Sequence, residues 1–147
     1  LPHAESIVSS LEKIYRSKGV LCEFEIDPKS QFSGELGDLQ ELLGNFLENA
    51  FKWARQRVLL TVRPLYEPAA KRPGLFLCIE DDGTGIAPED ISKILQRGVR
   101  GDERVQGHGI GMAIVQDIIQ SYGGQLAVDR SAELGGARFT ITLPCLS

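Results

Sequence analysis

An α+β fold, a two-layer sandwich of one mixed sheet and its helices, is what this sequence predicts, and three observations predict it. Two stretches before residue 55 repeat apolar residues at helical spacing, β-rich runs follow them, and the chain closes on a hairpin. The 147 residues are enough for one ordinary domain with a real core. Hydrophobic residues at 42% and charged residues at 24% describe a globular chain rather than a disordered one, and the order of elements then selects the class.

Taken in order, Ile7, Leu11 and Ile14, with Val8 and Tyr15 beside them, predict a first helix that Gly19 stops. Val20, Cys22, Phe24 and Ile26 alternate with Leu21, Glu23 and Glu25, the pattern of a half-buried strand that Asp27-Pro28 ends. Asp38 is placed to cap a second helix, with Glu41 three residues on to complete a capping box. That helix has Leu39, Leu42, Leu43, Phe46, Leu47 and Ala50 on its apolar face and runs to about Ala54. Residues 58–66 and 75–79 read as strands joined by a loop over 67–74 that holds Pro68 and Pro73. Pro88-Glu89-Asp90 opens a short helix, since proline suits its first position and acids its positive end. Residues 96–108 carry glycines and charges with little periodicity and read as a mobile loop. An apolar helix over 110–122 ends at Gly123-Gly124, and strands 125–129 and 137–143 flank a turn at Leu134-Gly135-Gly136. There are no internal repeats.

Several function classes are disfavoured. A net charge of -4 argues against nucleic acid as the main partner, because phosphate contacts need a basic surface. No apolar run approaches the length that spans a bilayer, so direct membrane contact is not expected. Cys22, Cys78 and Cys145 are odd in number and lack metal-ligand spacing, which points to reduced structural thiols in a cytosolic setting. The chain starts Leu1-Pro2-His3 without an initiating methionine, so an excised piece of a larger parent is expected.

Three segments carry chemistry. Asn45, Asn49 and Lys52 lie at i, i+4 and i+7 and so share one stripe of a helix. Amide oxygens are hard neutral ligands suited to Mg²⁺, and a lysine beside them would neutralise phosphate; the bland alternative is a solvated helix face. Asp81, at the end of an apolar strand and before Gly83 and Gly85, offers a carboxylate that accepts a hydrogen bond from a donor such as an adenine amino group. The alternatives are a tight acidic turn or a calcium loop, and the latter lacks alternating acids and a closing glutamate. Gly107-x-Gly109-x-Gly111 before an apolar helix makes an anion site of backbone N–H groups. It is not a P-loop, having no Gly-Lys-Ser/Thr, and it lacks the strand and downstream acid of a dinucleotide fold. Between these, Lys93, Arg97, Arg100 and Arg104 against Asp102 and Glu103 leave +2 in a chain of -4, as either a phosphate-holding or a solvated loop.

In this order the segments resemble the catalytic and ATP-binding domain of sensor histidine kinases, over nearly the whole chain. Asn45, Asn49 and Lys52 look like the N box, Asp81-x-Gly83-x-Gly85 like the G1 box and Gly107-x-Gly109-x-Gly111 like the G2 box. Gly135-Gly136-Ala137-Arg138-Phe139 looks like the terminal glycine element, and residues 94–100 lie where the F box belongs. Arg97-Gly98, Glu80-Asp81-Asp82-Gly83 and Leu134-Gly135-Gly136-Ala137-Arg138 are most similar to the PhoQ type of that family. The resemblance implies a Bergerat-type sandwich with helices on one face of the sheet and a mobile ATP lid over residues 96–108. It implies Mg·ATP as ligand, with Asn49 on the metal and Asn45 and Lys52 at the phosphates, these three being the catalytic group. Trp53 would lie against the nucleotide and Asp81 would take the adenine amino group. Gly83, Gly85, Ile86, Arg97, Arg100, Arg104, Gly107, His108, Gly109, Ile110, Gly111 and Met112 would complete the binding site. Trp53, Leu95 and Met112 depart from the usual tyrosine, phenylalanine and leucine of the pattern.

The resemblance further implies γ-phosphate transfer to a histidine on a separate dimerisation domain, and onward to the receiver domain of a response regulator. Neither His3 nor His108 is placed as the acceptor, so the acceptor belongs to sequence upstream. This domain would be a cytoplasmic monomer with little activity unaided, and its parent a homodimer in the inner membrane. An ATPase switch and an anti-sigma-type serine kinase share the fold. Their relatives have a glutamate base four residues before the metal asparagine, where this chain has Asn45, whose amide is no base at neutral pH.

Overall fold

The computed structural model describes residues 2–30, 32, 34–66, 73–86 and 112–144. Three α-helices among them, α1 (Pro2–Ile14), α2 (Leu36–Trp53) and α3 (Met112–Ser121), pack with five strands, β1 (Leu21–Ile26), β2 (Arg57–Leu65), β3 (Gly74–Asp81), β4 (Gln125–Arg130) and β5 (Ala137–Leu143). The strands form one sheet in the order β1-β2-β3-β5-β4. β1 and β2 run parallel and every other pair is antiparallel, so the sheet is mixed, as the α+β reading requires.

Parallel neighbours cannot be joined by a tight turn, and α2 is the crossover between them. That connection lays α2 across the sheet and delivers its C-terminal end to the start of β2. Val58 of β2 stands opposite Asp81 of β3, so the helix end and the strand end meet at one corner.

Alternation sends Val58, Leu60 and Val62 of β2, Leu75, Leu77 and Ile79 of β3, and Phe139, Ile141 and Leu143 of β5 to one face, where they join one buried cluster. The helices cover that face, with Leu42, Leu43, Phe46, Leu47 and Phe51 of α2 at the centre and the Phe46 and Phe139 rings 5.4 Å apart. Truncating Phe46 to alanine there would cost about 3–5 kcal/mol. The other face carries the ion pairs Arg57–Glu23 and Arg138–Asp129, and Arg63 stacks 4.1 Å above the Phe76 ring.

Two expectations change. Asp38 is not the cap of α2, which starts at Leu36 after Glu35, and Glu35 makes no side-chain cap bond. Asp38 instead accepts a 2.6 Å bond from the Tyr122 hydroxyl, and Glu41 accepts from Asn45, so no capping box forms. Phe24 is more exposed than its alternation implies, because β1 is an edge strand. Gly19 does end the first helical segment, through a three-residue 3-10 turn and a left-handed φ of 69°. The 67–72 part of the β2–β3 loop, the helix start at Pro88-Glu89-Asp90, the 96–108 loop, Leu95, Ile110, Gly111 and Cys145 lie outside the described residues.

Candidate functional site

β3 is a run of apolar residues buried on both faces, and it ends in Glu80 and Asp81, both buried. Asp81 is 2% exposed, too deep for an unsupported carboxylate. Its Oδ1 accepts from the Gly83 N–H at 2.9 Å and the Ala137 N–H at 3.2 Å, while its carbonyl accepts from Gly136 N–H at 3.0 Å. Both side-chain bonds fall on one oxygen, and Oδ2 takes part in neither. Burial pushes the Asp81 carboxyl above the ordinary 3.8, against the pull of the Gly83 and Ala137 N–H groups.

Two glycines make room for this carboxylate. A Cβ on Gly136 would stand 2.2 Å from Asp81 Oδ1 and 2.6 Å from Gly83 N, and one on Gly83 would stand 2.2 Å from the Trp53 carbonyl oxygen. Gly85 has φ of 81°, the left-handed region that only glycine enters freely. Ser131 braces the hairpin turn behind them: its hydroxyl donates to Glu80 Oε1 at 2.8 Å and accepts from Leu134 N–H at 2.9 Å.

Asp82 has a different task from its neighbour. Its carboxylate accepts from the backbone N–H groups of Arg55 (2.8 Å) and Gln56 (3.1 Å), which follow the last turn of α2. Burial would raise its carboxyl, yet the N–H groups of Arg57, Gln56 and Arg55 outweigh that and hold it below 3.8. Asp82 is therefore a clip between α2 and the end of β3, while Asp81 is bonded into the turn and the β5 end.

On α2, the three polar residues differ in what satisfies them. Asn45 Nδ2 donates to the Glu41 carbonyl at 2.8 Å and to Glu41 Oε1 at 3.1 Å. Asn49 is 7% exposed, and its buried Oδ1 has no hydrogen-bond partner among the described residues. A buried acceptor left unpaired carries a desolvation cost that a bound cation or donor would remove. Lys52 is exposed, with its ammonium 5.9 Å from the centre of the Trp53 ring, and Trp53 keeps 38% of its surface in solvent. No cluster of three or more His, Cys, Asp or Glu side chains suits a metal among the described residues.

The structure thus brings Trp53, Asp81 and Gly83 together and places Asn45, Asn49 and Lys52 on the helix that ends against them. Gly85 follows in the same turn, and Ile86 packs on the edge of the core. Arg97, Arg100, Arg104, Gly107, His108, Gly109, Ile110 and Gly111 lie outside the described residues, as does the side chain of Met112, the first residue of α3. Sequence reading placed Gly136 and Ala137 in a terminal glycine element but did not see that they hold Asp81. It passed over Lys18, whose ammonium donates to the carbonyls of Phe51 (3.1 Å) and Lys52 (2.7 Å). The two described thiols are disfavoured as thiolates: burial, then Glu12, pushes Cys22 up to about 12, and burial, then Glu80, pushes Cys78 up to about 11.

A buried acceptor at the end of β3, close-packed glycines beside it and an unpaired amide oxygen on α2 are the polar features that these adjoining elements present. No helix among the described residues is long and apolar enough to cross a membrane. Residues 34–147 match the family described as histidine kinase-, DNA gyrase B-, and HSP90-like ATPase. The two-component sensor PhoQ of Pseudomonas aeruginosa is 42% identical over 142 residues, which cover 95% of this chain and 30% of that protein. The virulence sensor histidine kinase PhoQ of Salmonella typhimurium is 35% identical over 140 residues, covering 95% and 27%. The chain spans less than a third of either relative's length. Among solved structures, a mycobacterial sensor histidine kinase, MprB, superposes with a TM-score of 0.70 at 31% identity, over 95% of this chain and 92% of that one. The PhoQ-type resemblance and the Bergerat-type sandwich both agree with these matches, and the ligand they imply is ATP. The chain belongs to the histidine kinase-, DNA gyrase B- and HSP90-like ATPase family, on the side of the sensor histidine kinases.

Proposed function

We propose that this chain binds Mg·ATP and presents the γ-phosphoryl group to a histidine on a separate dimerisation domain, for relay to the receiver domain of a response regulator. The observation that carries the reading is Asp81, a buried carboxylate with one oxygen fixed by two backbone N–H groups and the other outside both bonds. In this reading Oδ2 accepts from the adenine amino group, and Gly83, Gly85 and Ile86 line the base. The unpaired Asn49 Oδ1 fits a Mg²⁺ ligand. When bound, that ion neutralises charge on the β- and γ-phosphates. Asn45 and Lys52 hold the phosphates, and Trp53 lies along the nucleotide. Arg97, Arg100, Arg104, Gly107, His108, Gly109, Ile110, Gly111 and Met112 complete the nucleotide site in this reading. Positioning and charge neutralisation supply most of the catalysis.

Transfer to histidine is preferred to hydrolysis because Asn45 stands where the hydrolytic relatives place a glutamate, and its amide is already tied to Glu41. The domain itself is read as a cytoplasmic monomer, one unit over residues 1–147 of a homodimeric inner-membrane sensor kinase whose acceptor histidine lies elsewhere. The test is to incubate the chain with γ-labelled ATP and Mg²⁺, with and without a purified PhoQ dimerisation domain. Label on an acid-labile phosphohistidine, appearing only with the acceptor domain, is expected. Rapid phosphate release without the acceptor would instead indicate the ATPase-switch reading, and label on serine of a protein substrate would indicate the anti-sigma-type kinase.

A further inference from the structure

A helix that ends at Trp53 leaves its last carbonyls without the N–H groups of the following turn. The last helical bond here is Ala54 N–H to the Ala50 carbonyl, at 2.8 Å. The next two donors in the ladder, the N–H groups of Arg55 and Gln56, are turned to Asp82. Their vacated acceptors, the carbonyls of Phe51 and Lys52, both receive the Lys18 ammonium. One acid and one base from distant segments thus complete the same helix end, and a cation at a helix C-terminus is also favoured by the helix dipole. The turn so held bears Lys52 and Trp53, and its Trp53 carbonyl oxygen packs so closely on Gly83 that a Cβ there would clash with it. The Lys18 charge also reaches Asp81, drawing its carboxyl down against burial.

We propose that Lys18 is a positioning residue for nucleotide binding, which fixes the last turn of α2 and the Trp53 carbonyl against the Asp81–Gly83 turn. The inference rests on the nucleotide-site reading above and adds to it a residue from outside the three glycine- and asparagine-bearing segments. Asn49 lies a full turn before Trp53 in α2, within its regular hydrogen-bonded body, so the effect belongs to the Lys52–Trp53 end of the helix and not to the metal.

The test is titration of the 147-residue chain, wild type, Lys18→Met and Lys18→Arg, with ADP and with a non-hydrolysable ATP analogue, with and without Mg²⁺. Methionine keeps the apolar stem and removes the donors and the charge. Lys18→Met is expected to weaken both nucleotides by the same factor, about 5-fold, with the Mg²⁺ enhancement unchanged. Trp53, the one tryptophan of the sequence, should shift its fluorescence emission in Lys18→Met, and Lys18→Arg should restore both emission and affinity. Unchanged ADP affinity in Lys18→Met would overturn the proposal, as would a loss confined to the Mg²⁺-dependent part. A Lys18→Met chain that no longer folds at room temperature would also overturn it, because the bonds would then hold the fold rather than the site. No ADP binding by the wild type at millimolar concentration would bring down the nucleotide-site reading itself, an outcome distinct from these.

Discussion

The corner at the end of β3 and the polar stripe of α2 adjoin where the helix ends, but they are built in opposite ways. At the corner four hydrogen bonds within the protein hold the turn: Gly83 N–H and Ala137 N–H to Asp81 Oδ1, Gly136 N–H to the Asp81 carbonyl, and the Ser131 hydroxyl to Glu80. Along the stripe Lys52 is exposed and Asn49 Oδ1 is buried without a described partner. The contrast teaches where the folding free energy goes. Backbone bonds and glycine contacts fix the corner before any ligand arrives, whereas the stripe retains an unmet acceptor that a ligand completes. In the proposed reading, the base end is preorganised and the phosphate end is finished by what binds.

Breaking the corner should have the largest effect. Gly136→Ala puts a methyl 2.2 Å from Asp81 Oδ1 and 2.4 Å from its carbonyl oxygen. A loss of more than about 3 kcal/mol in urea denaturation is expected, because the opposing atoms belong to backbone and to a fixed carboxylate. A milder change separates binding from folding. In Asp81→Asn an amide oxygen can still accept from Gly83 and Ala137, but its –NH₂ cannot accept from a base. Nucleotide affinity should fall about 100-fold while stability stays equal or rises by up to about 1 kcal/mol, since a buried charge is removed.

The stripe should respond differently. Asn49→Ala is expected to change stability by less than about 0.5 kcal/mol, because its oxygen has no bond to lose, and to remove about 10-fold of affinity only when Mg²⁺ is present. Asp82→Ala, which removes the clip and not the site, should cost about 1 kcal/mol of stability and leave Mg²⁺ enhancement intact. The smallest effect is in pH dependence, where the two neighbouring acids have opposite signs. Asp81 is raised, so its contribution to stability is complete below the unfolded value near 3.8 and is lost as pH rises through its higher folded value. Asp82 is lowered, so its contribution is present above 3.8 and is lost as pH falls through its folded value. Denaturation midpoints followed from acid to neutral pH should therefore show Asp81→Asn gaining on the wild type as pH rises. Asp82→Asn should fall further behind over the same rise.

How much of this was legible from the sequence depends on whether the signal was local. The apolar face of α2, the buried strand before Asp81 and the glycines that follow it are readable from spacing, because each reflects a neighbour within one turn or one pleat. Asp38 misled for the same reason: it has the right spacing for a cap, yet the hydroxyl of Tyr122, 84 residues away, claims its carboxylate. Gly136 and Ala137 bond to Asp81 across 55 and 56 residues through the β3–β5 pairing, which no local periodicity encodes. Lys18 was silent because an exposed lysine after a helix looks like any solvated charge until α2 is laid beside it.

The measurement that tests the central contrast most directly is calorimetric titration of the chain with a non-hydrolysable ATP analogue, with and without Mg²⁺, beside Asp81→Asn and Asn49→Ala. If the corner is preorganised and the stripe is completed by its ligand, Asp81→Asn weakens binding about 100-fold under both conditions, whereas Asn49→Ala loses only the Mg²⁺-dependent part. An Asp81→Asn chain that binds as tightly as the wild type, or an Asn49→Ala chain that loses equal affinity without Mg²⁺, would contradict it.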